Sequence, residues 1–208
     1  MKQPILAGVA VMIAACGSTT NTADAGALDL STGAKIMTAL EGKTMVMTGA
    51  DIPTDPLGFN ANINYGLATQ CYNRVSIKTL GGNFAVTTNL GTLHPGGDGG
   101  VGIVGSCDTS TAAGAPLEFT TSAVLIENVK NNGECYDITT TYTGFSQEGR
   151  GKISPDGKTV TLELYSSGKA TGIRCVNGDP GATGVTLVLS PSLSIPFTGD
   201  SKQVYRVQ

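Results

Sequence analysis

The sequence predicts an all-β domain: a single antiparallel β-barrel or β-sandwich of about 9–11 strands with one short N-terminal helix. Three observations carry this. Glycine supplies 29 of 208 residues, about twice its ordinary share of roughly 7%. Threonine supplies a further 27, while only 14% of residues are charged. Helical bundles and coiled coils draw on Ala, Glu, Lys and Leu, so this composition disfavours both. Second, apolar and polar residues alternate over short runs bounded by Gly, Asn and Pro, the period of half-buried strands. Third, no repeat period is present, which disfavours a propeller or a β-helix. An apolar fraction of 40% is sufficient for a packed core, so wholesale disorder is excluded. The formal charge of −3 argues against a phosphate-binding surface, and nucleic acid is not an expected partner.

The first element is a targeting segment. Lys2 precedes an uncharged apolar run over residues 5–15. As a helix that run would reach only about 16 Å, roughly half a bilayer core. Residues 1–15 therefore read as a signal peptide rather than a membrane span. The tetrapeptide Ile13-Ala14-Ala15-Cys16 resembles the lipobox of bacterial lipoproteins. That resemblance covers residues 1–16 and implies cleavage before Cys16, a diacylglycerol on its thiol and acylation of its amine. Several acyl chains anchor a protein stably where one would be marginal. The residue after Cys16 is Gly17 and not Asp, which by resemblance to Gram-negative lipoproteins implies the outer membrane. Residues 16–30 are expected to be a lipidated flexible tether, small and polar over 17–26, and residues 31–208 the β domain.

Within that domain, Leu30, Ile36, Met37 and Leu40 approach helical spacing, with Ser31 or Thr32 as the cap, so a short helix is expected over 31–41. Residues 43–48 are a candidate first strand. Residues 71–80 alternate, with Cys71, Asn73, Val75, Ile77 and Thr79 on one face and Tyr72, Arg74, Ser76 and Lys78 on the other. Gly81-Gly82-Asn83 turns this strand into one over 84–89. A second hairpin joins 118–129 to 134–143, and Val124-Leu125-Ile126, apolar on both faces, reads as covered on both sides. A third joins 149–154 to 158–165 through Ser154-Pro155-Asp156-Gly157, where Pro presets the turn and Gly accepts a positive φ. Val160, Leu162 and Leu164 then point inward, with Thr161 and Glu163 outward. Strands over 169–176, 184–189 and 203–207 complete the set.

Five cysteines divide as one plus four. With Cys16 assigned to lipid, Cys71, Cys107, Cys135 and Cys175 are an even set in an exported chain, which reads as two disulfides. Their spacings of 36, 28 and 40 residues match no zinc pattern. Of three possible connectivities the pairing of sequence neighbours is preferred, Cys71 with Cys107 and Cys135 with Cys175. Each would close a loop worth on the order of 3–4 kcal/mol in the chain-entropy model.

Candidate chemistry is sparse. Residues 91–105 read as a long surface loop, and within it Gly100-x-Gly102-x-x-Gly105 matches the letters of a dinucleotide fingerprint without its strand–helix context. The same stretch holds His94, the single histidine, which excludes a multi-histidine metal site. With no Gly-x-Ser-x-Gly elbow, His94 reads as a solvent-exposed residue rather than part of a triad. Asp98 and Asp108 lack the Asp-x-Asp-x-Asp spacing of a calcium loop, and no carboxylate pair stands out as acid and base. Tyr136 and Tyr142 share strand parity with Ile138 and are expected in the core or at its rim. Arg150 and Arg174 fall on β segments and read as solvated. No catalytic residue, cofactor or metal is expected.

The functional expectation is an outer-membrane lipoprotein whose β domain binds or scaffolds without catalysis, as an accessory component of the cell envelope with a possible envelope protein partner. The alternative is a carrier resembling the lipocalins, an up-and-down barrel holding a small apolar ligand. The Gly-x-Trp signature of that family is absent from the first strand, where Gly42-Lys43-Thr44 stands. A small envelope hydrolase is the third reading.

Overall fold

A computed structural model describes residues 28–52, 71–94, 106–181, 184–197 and 201–208. The signal peptide, Cys16 and most of the expected tether lie outside these residues, as do Asp98 and the Gly100–Gly105 motif. The strands are β1 (Thr44–Thr48), β2 (Tyr72–Leu80), β3 (Asn83–His94), β4 (Ser106–Ala112), β5 (Leu117–Lys130), β6 (Cys135–Tyr142), β7 (Phe145–Ile153), β8 (Thr159–Ser166), β9 (Ala170–Thr171), β10 (Thr186–Ser190), β11 (Leu193–Pro196) and β12 (Gln203–Val207). One α-helix, α1 (Gly33–Leu40), precedes them.

Eight strands close into an antiparallel barrel in the order β1-β2-β3-β5-β6-β7-β8-β12, with β12 pairing back onto β1. Each strand neighbours the next of the eight, so the barrel is up-and-down. β4 is an extra strand on the edge of β3, and β9, β10 and β11 form a separate small sheet. The two-residue turn Gly81-Gly82 joins Leu80 to its partner Asn83 with both glycines at positive φ, +59° and +75°. Only that twist suits a two-residue hairpin, and L residues resist it.

Helix α1 seals one end of the barrel. The Thr32 hydroxyl accepts from the Lys35 amide at 3.3 Å, a cap of a kind worth about 1 kcal/mol. Ile36 and Leu40, four residues apart and hence on one face, are buried with Met45, Val75 and Ile138. Each full burial is worth about 1.5–3 kcal/mol. Just past the helix, the Glu41 carboxylate accepts from the amides of Gly81 and Gly82, tying the helix end to the β2–β3 turn. Leu30 is fully buried in the same core, and Asn132 brackets the segment through Leu28 O and Leu30 N. The folded body thus includes residues 28–30, which were expected to belong to the tether.

Several strand expectations need correction. Tyr72 is buried although its parity placed it with Arg74 and Lys78. A bulge at Asn73, between the pairs Tyr72↔Leu90 and Arg74↔Asn89, shifts the strand by one residue and returns Tyr72 to the inner face. Residues 91–94 belong to β3, paired with β4, and not to a loop. Leu125 is 51% exposed, because no second layer covers the outer face of β5. Residues 169–176 are a two-residue strand followed by a 3-10 turn at Cys175–Asn177, and β4 and β11 had no sequence signal.

The largest departure lies outside the barrel. Residues 167–202, connecting β8 to β12, fold back as a second layer over the outer faces of β6, β7 and β8. Tyr165, Ile173, Val185 and Leu187 form its own small core. Beneath it Arg150 and Glu163, read as solvated and outward, are both fully buried and paired at 2.7 Å. Arg150 also donates to the carbonyls of Gly172, Arg174 and Gly178. Glu163 accepts from Tyr165, Ser201 and the Gly181 amide. Thr161 is buried on the same side. Arg174 pairs with Glu148 at 2.6 Å and does not approach Arg150 through its side chain. Glu163 does point out of the barrel, as its parity requires; the overlying layer removes it from water.

Both disulfides have the expected connectivity. Cys71–Cys107 joins the start of β2 to β4, and Cys135–Cys175 pins the second layer to the start of β6. Gly91 lies beneath the first of these. A Cβ there would stand 2.8 Å from Cys71 Sγ and 2.7 Å from Asp108 O, so the crossing admits no side chain.

Candidate binding site in the barrel

Inward positions of a strand alternate with outward ones, so an eight-stranded barrel presents eight inner rows. In the half near α1 these rows are filled by large side chains. Tyr136 is one of them, its ring lying over Gly151, where a Cβ would come within 2.6 Å of the ring. In the opposite half the rows leave a cavity of about 190 Å³. For comparison, an engineered apolar cavity of about 150 Å³ holds benzene.

Ile77, Val86, Leu90, Leu162 and Leu164 supply aliphatic wall, and Phe84 closes part of it. At the open end stand Leu117, Phe119 and Phe145, with Phe119 and Phe145 39% and 44% exposed. These two rings and Tyr142 form one aromatic group. Tyr142 and Phe145 are stacked at 4.5 Å between centroids, and Phe119 meets both edge-on. The stack follows from a two-residue β6–β7 turn at Thr143-Gly144, which sets Tyr142 directly opposite Phe145; Gly144 provides the positive φ, +89°.

Polar atoms are few and uncharged. Tyr72, Thr88, Thr140, Tyr142 and Gln147 contribute them, and no Lys, Arg, Asp or Glu among the described residues lines the cavity. Burial pushes the Tyr72 and Tyr142 phenols above their ordinary value, and Tyr205 and Tyr142 near Tyr72 add to its shift. Both phenols are therefore neutral hydrogen-bonding groups near neutral pH. Thr140 is 1% exposed and its Oγ1 has no hydrogen-bond partner.

The residues singled out by sequence fall mostly elsewhere. Tyr136 and Tyr142 are in the core as expected, and Tyr142 reaches the cavity. His94 is exposed at the end of β3, opposite Ser106. Asp108 accepts from the Ser110 hydroxyl and amide, which hold its carboxyl below the usual range. Cys71, Cys107, Cys135 and Cys175 are occupied in disulfides. Sequence reasoning missed Phe119, Thr140, Phe145 and Gln147. The available signal was the polar pair Thr140 and Gln147, each on the inward parity of an otherwise apolar or glycine row.

No family model, curated protein or solved structure matches the chain. The site is accordingly read from its own geometry.

Proposed function

We propose that this protein is an outer-membrane lipoprotein, anchored through Cys16, whose barrel binds a small and largely apolar ligand at its open end. The observation that carries the binding reading is the apolar cavity bordered by partly exposed aromatic rings. A pocket with mostly apolar walls and a few placed polar groups is the usual form of a small-molecule site. Anchoring rests on the lipobox residues 13–16. A lipid-held binding domain would take up its ligand at the membrane surface, where apolar compounds concentrate.

Each half of the proposal has its own test. Cys16→Ala is expected to move the exported protein from the membrane fraction to the soluble fraction; retention in the membrane would remove the anchor assignment. For the cavity, toluene titrated into labelled protein should perturb amide resonances on β3, β6 and β7, with a dissociation constant of about millimolar or tighter. Val86→Phe, which fills the cavity from β3, should abolish those changes while the circular dichroism spectrum stays that of a barrel. Perturbations that persist in Val86→Phe, or none in the native protein, would exclude the site.

A further inference from the structure

Resting on the reading of the cavity as a binding site, the Thr140 hydroxyl identifies the chemical class of ligand. Its side chain shares the inward parity of Ile138 and Tyr142 on β6 and is buried with Oγ1 unpartnered. A buried hydroxyl without a partner costs about 1–3 kcal/mol, and such groups are rare in native structures. The hydroxyl both donates and accepts, so a hydroxyl on the ligand can satisfy it. The remaining wall selects further. With only neutral polar groups available, a ligand carrying a full charge would lose its hydration without compensation. The stacked Tyr142–Phe145 pair and the edge-on Phe119 offer ring faces and edges to a planar group, and the volume of about 190 Å³ limits that group to a single ring with small substituents. We propose that the ligand is an uncharged, single-ring aromatic compound bearing a hydroxyl group, which lies against the Tyr142–Phe145–Phe119 wall and hydrogen-bonds Thr140 Oγ1.

The test compares p-cresol with p-xylene, which have the same shape and differ by hydroxyl against methyl. Calorimetric titration into the full folded domain gives an affinity ratio for the native protein and for Thr140→Val, which preserves the shape of the side chain and removes its hydroxyl. The p-cresol to p-xylene ratio should fall about tenfold in Thr140→Val and be retained in Thr140→Ser, and p-toluate, the charged analogue, should bind neither form detectably. If both ligands bind but the ratio is the same in all three proteins, the hydroxyl assignment is overturned while the cavity stands as a site. Binding of p-toluate as strong as that of p-cresol overturns the uncharged class. If neither neutral ligand binds the native protein, the cavity reading itself fails, and this inference with it. Should Thr140→Val not fold, the comparison is made with Thr140→Ala, for which the same fall in ratio is expected.

Discussion

Replacing Glu163 by Gln is expected to lower the unfolding free energy by about 3–5 kcal/mol, a fall in melting temperature of roughly 10 °C or more for a domain of this size. The side chain keeps its shape in that substitution but loses its charge, and Arg150 is left fully buried without a counter-ion. Two of its acceptor relationships also change, because an amide offers one oxygen where the carboxylate offered two. Glu163 Oε1 takes the hydroxyls of Tyr165 and Ser201, while Oε2 takes Arg150 and the Gly181 amide. Replacing both members with apolar residues, as in Arg150→Met with Glu163→Leu, should recover part of the loss. Buried ion pairs elsewhere have been exchanged for apolar packing with little cost. Here recovery should stay incomplete, since the carbonyls of Gly172, Arg174 and Gly178 lose their donor. Urea denaturation of the two variants checks the ordering. A Glu163→Gln protein within 1 kcal/mol of native would show that the pair contributes little.

The second large effect is alkaline. Tyr72, Tyr136, Tyr142, Tyr165 and Tyr205 all have their phenols pushed up by burial, with the Glu163 carboxylate adding to the shift at Tyr165. In each case the folded value lies above the unfolded value of about 10. The folded state therefore keeps protons that the unfolded chain releases. This contribution is fully present below about pH 10 and is lost as the pH rises above it. Each such tyrosine subtracts about 1.4 kcal/mol per pH unit in that range. Five together would exhaust a typical stability of about 5–15 kcal/mol within roughly two units. Phenolate absorbance and circular dichroism should therefore change together, in one cooperative step between about pH 11 and 12. Phenols that ionise near pH 10 with the dichroism unchanged would show that these rings are accessible to solvent.

Much of the barrel is readable along the chain because its determinants are local. Gly81-Gly82 and Ser154–Gly157 announce their turns, and Val160, Leu162 and Leu164 announce an inner face. The side of Tyr72 was not readable, because one inserted residue at Asn73 inverts the parity and leaves no local trace. Arg150 and Glu163 were misread for a different reason. Their outward orientation is written in the strand, but the layer that buries them is supplied by residues 167–202, whose packing has no period. The cavity escaped for a third reason. Its volume depends on side chains from six strands at one depth, a sum that no single strand reports. Thr140 and Gln147 were its only local signs.

The closing strand has a kinetic consequence. β12 stands between β1 and β8, and its pair Met45↔Val207 joins positions almost at opposite ends of the described chain. Contacts so distant in sequence slow folding, because the entropy of closing a long loop is lost before the contact repays it. Until β12 docks, β1 and β8 each present an open edge with unpaired amides and carbonyls. Such edges pair readily with those of other chains. The period of greatest exposure to aggregation is thus the interval between formation of the β5–β8 meander and arrival of residues 203–207.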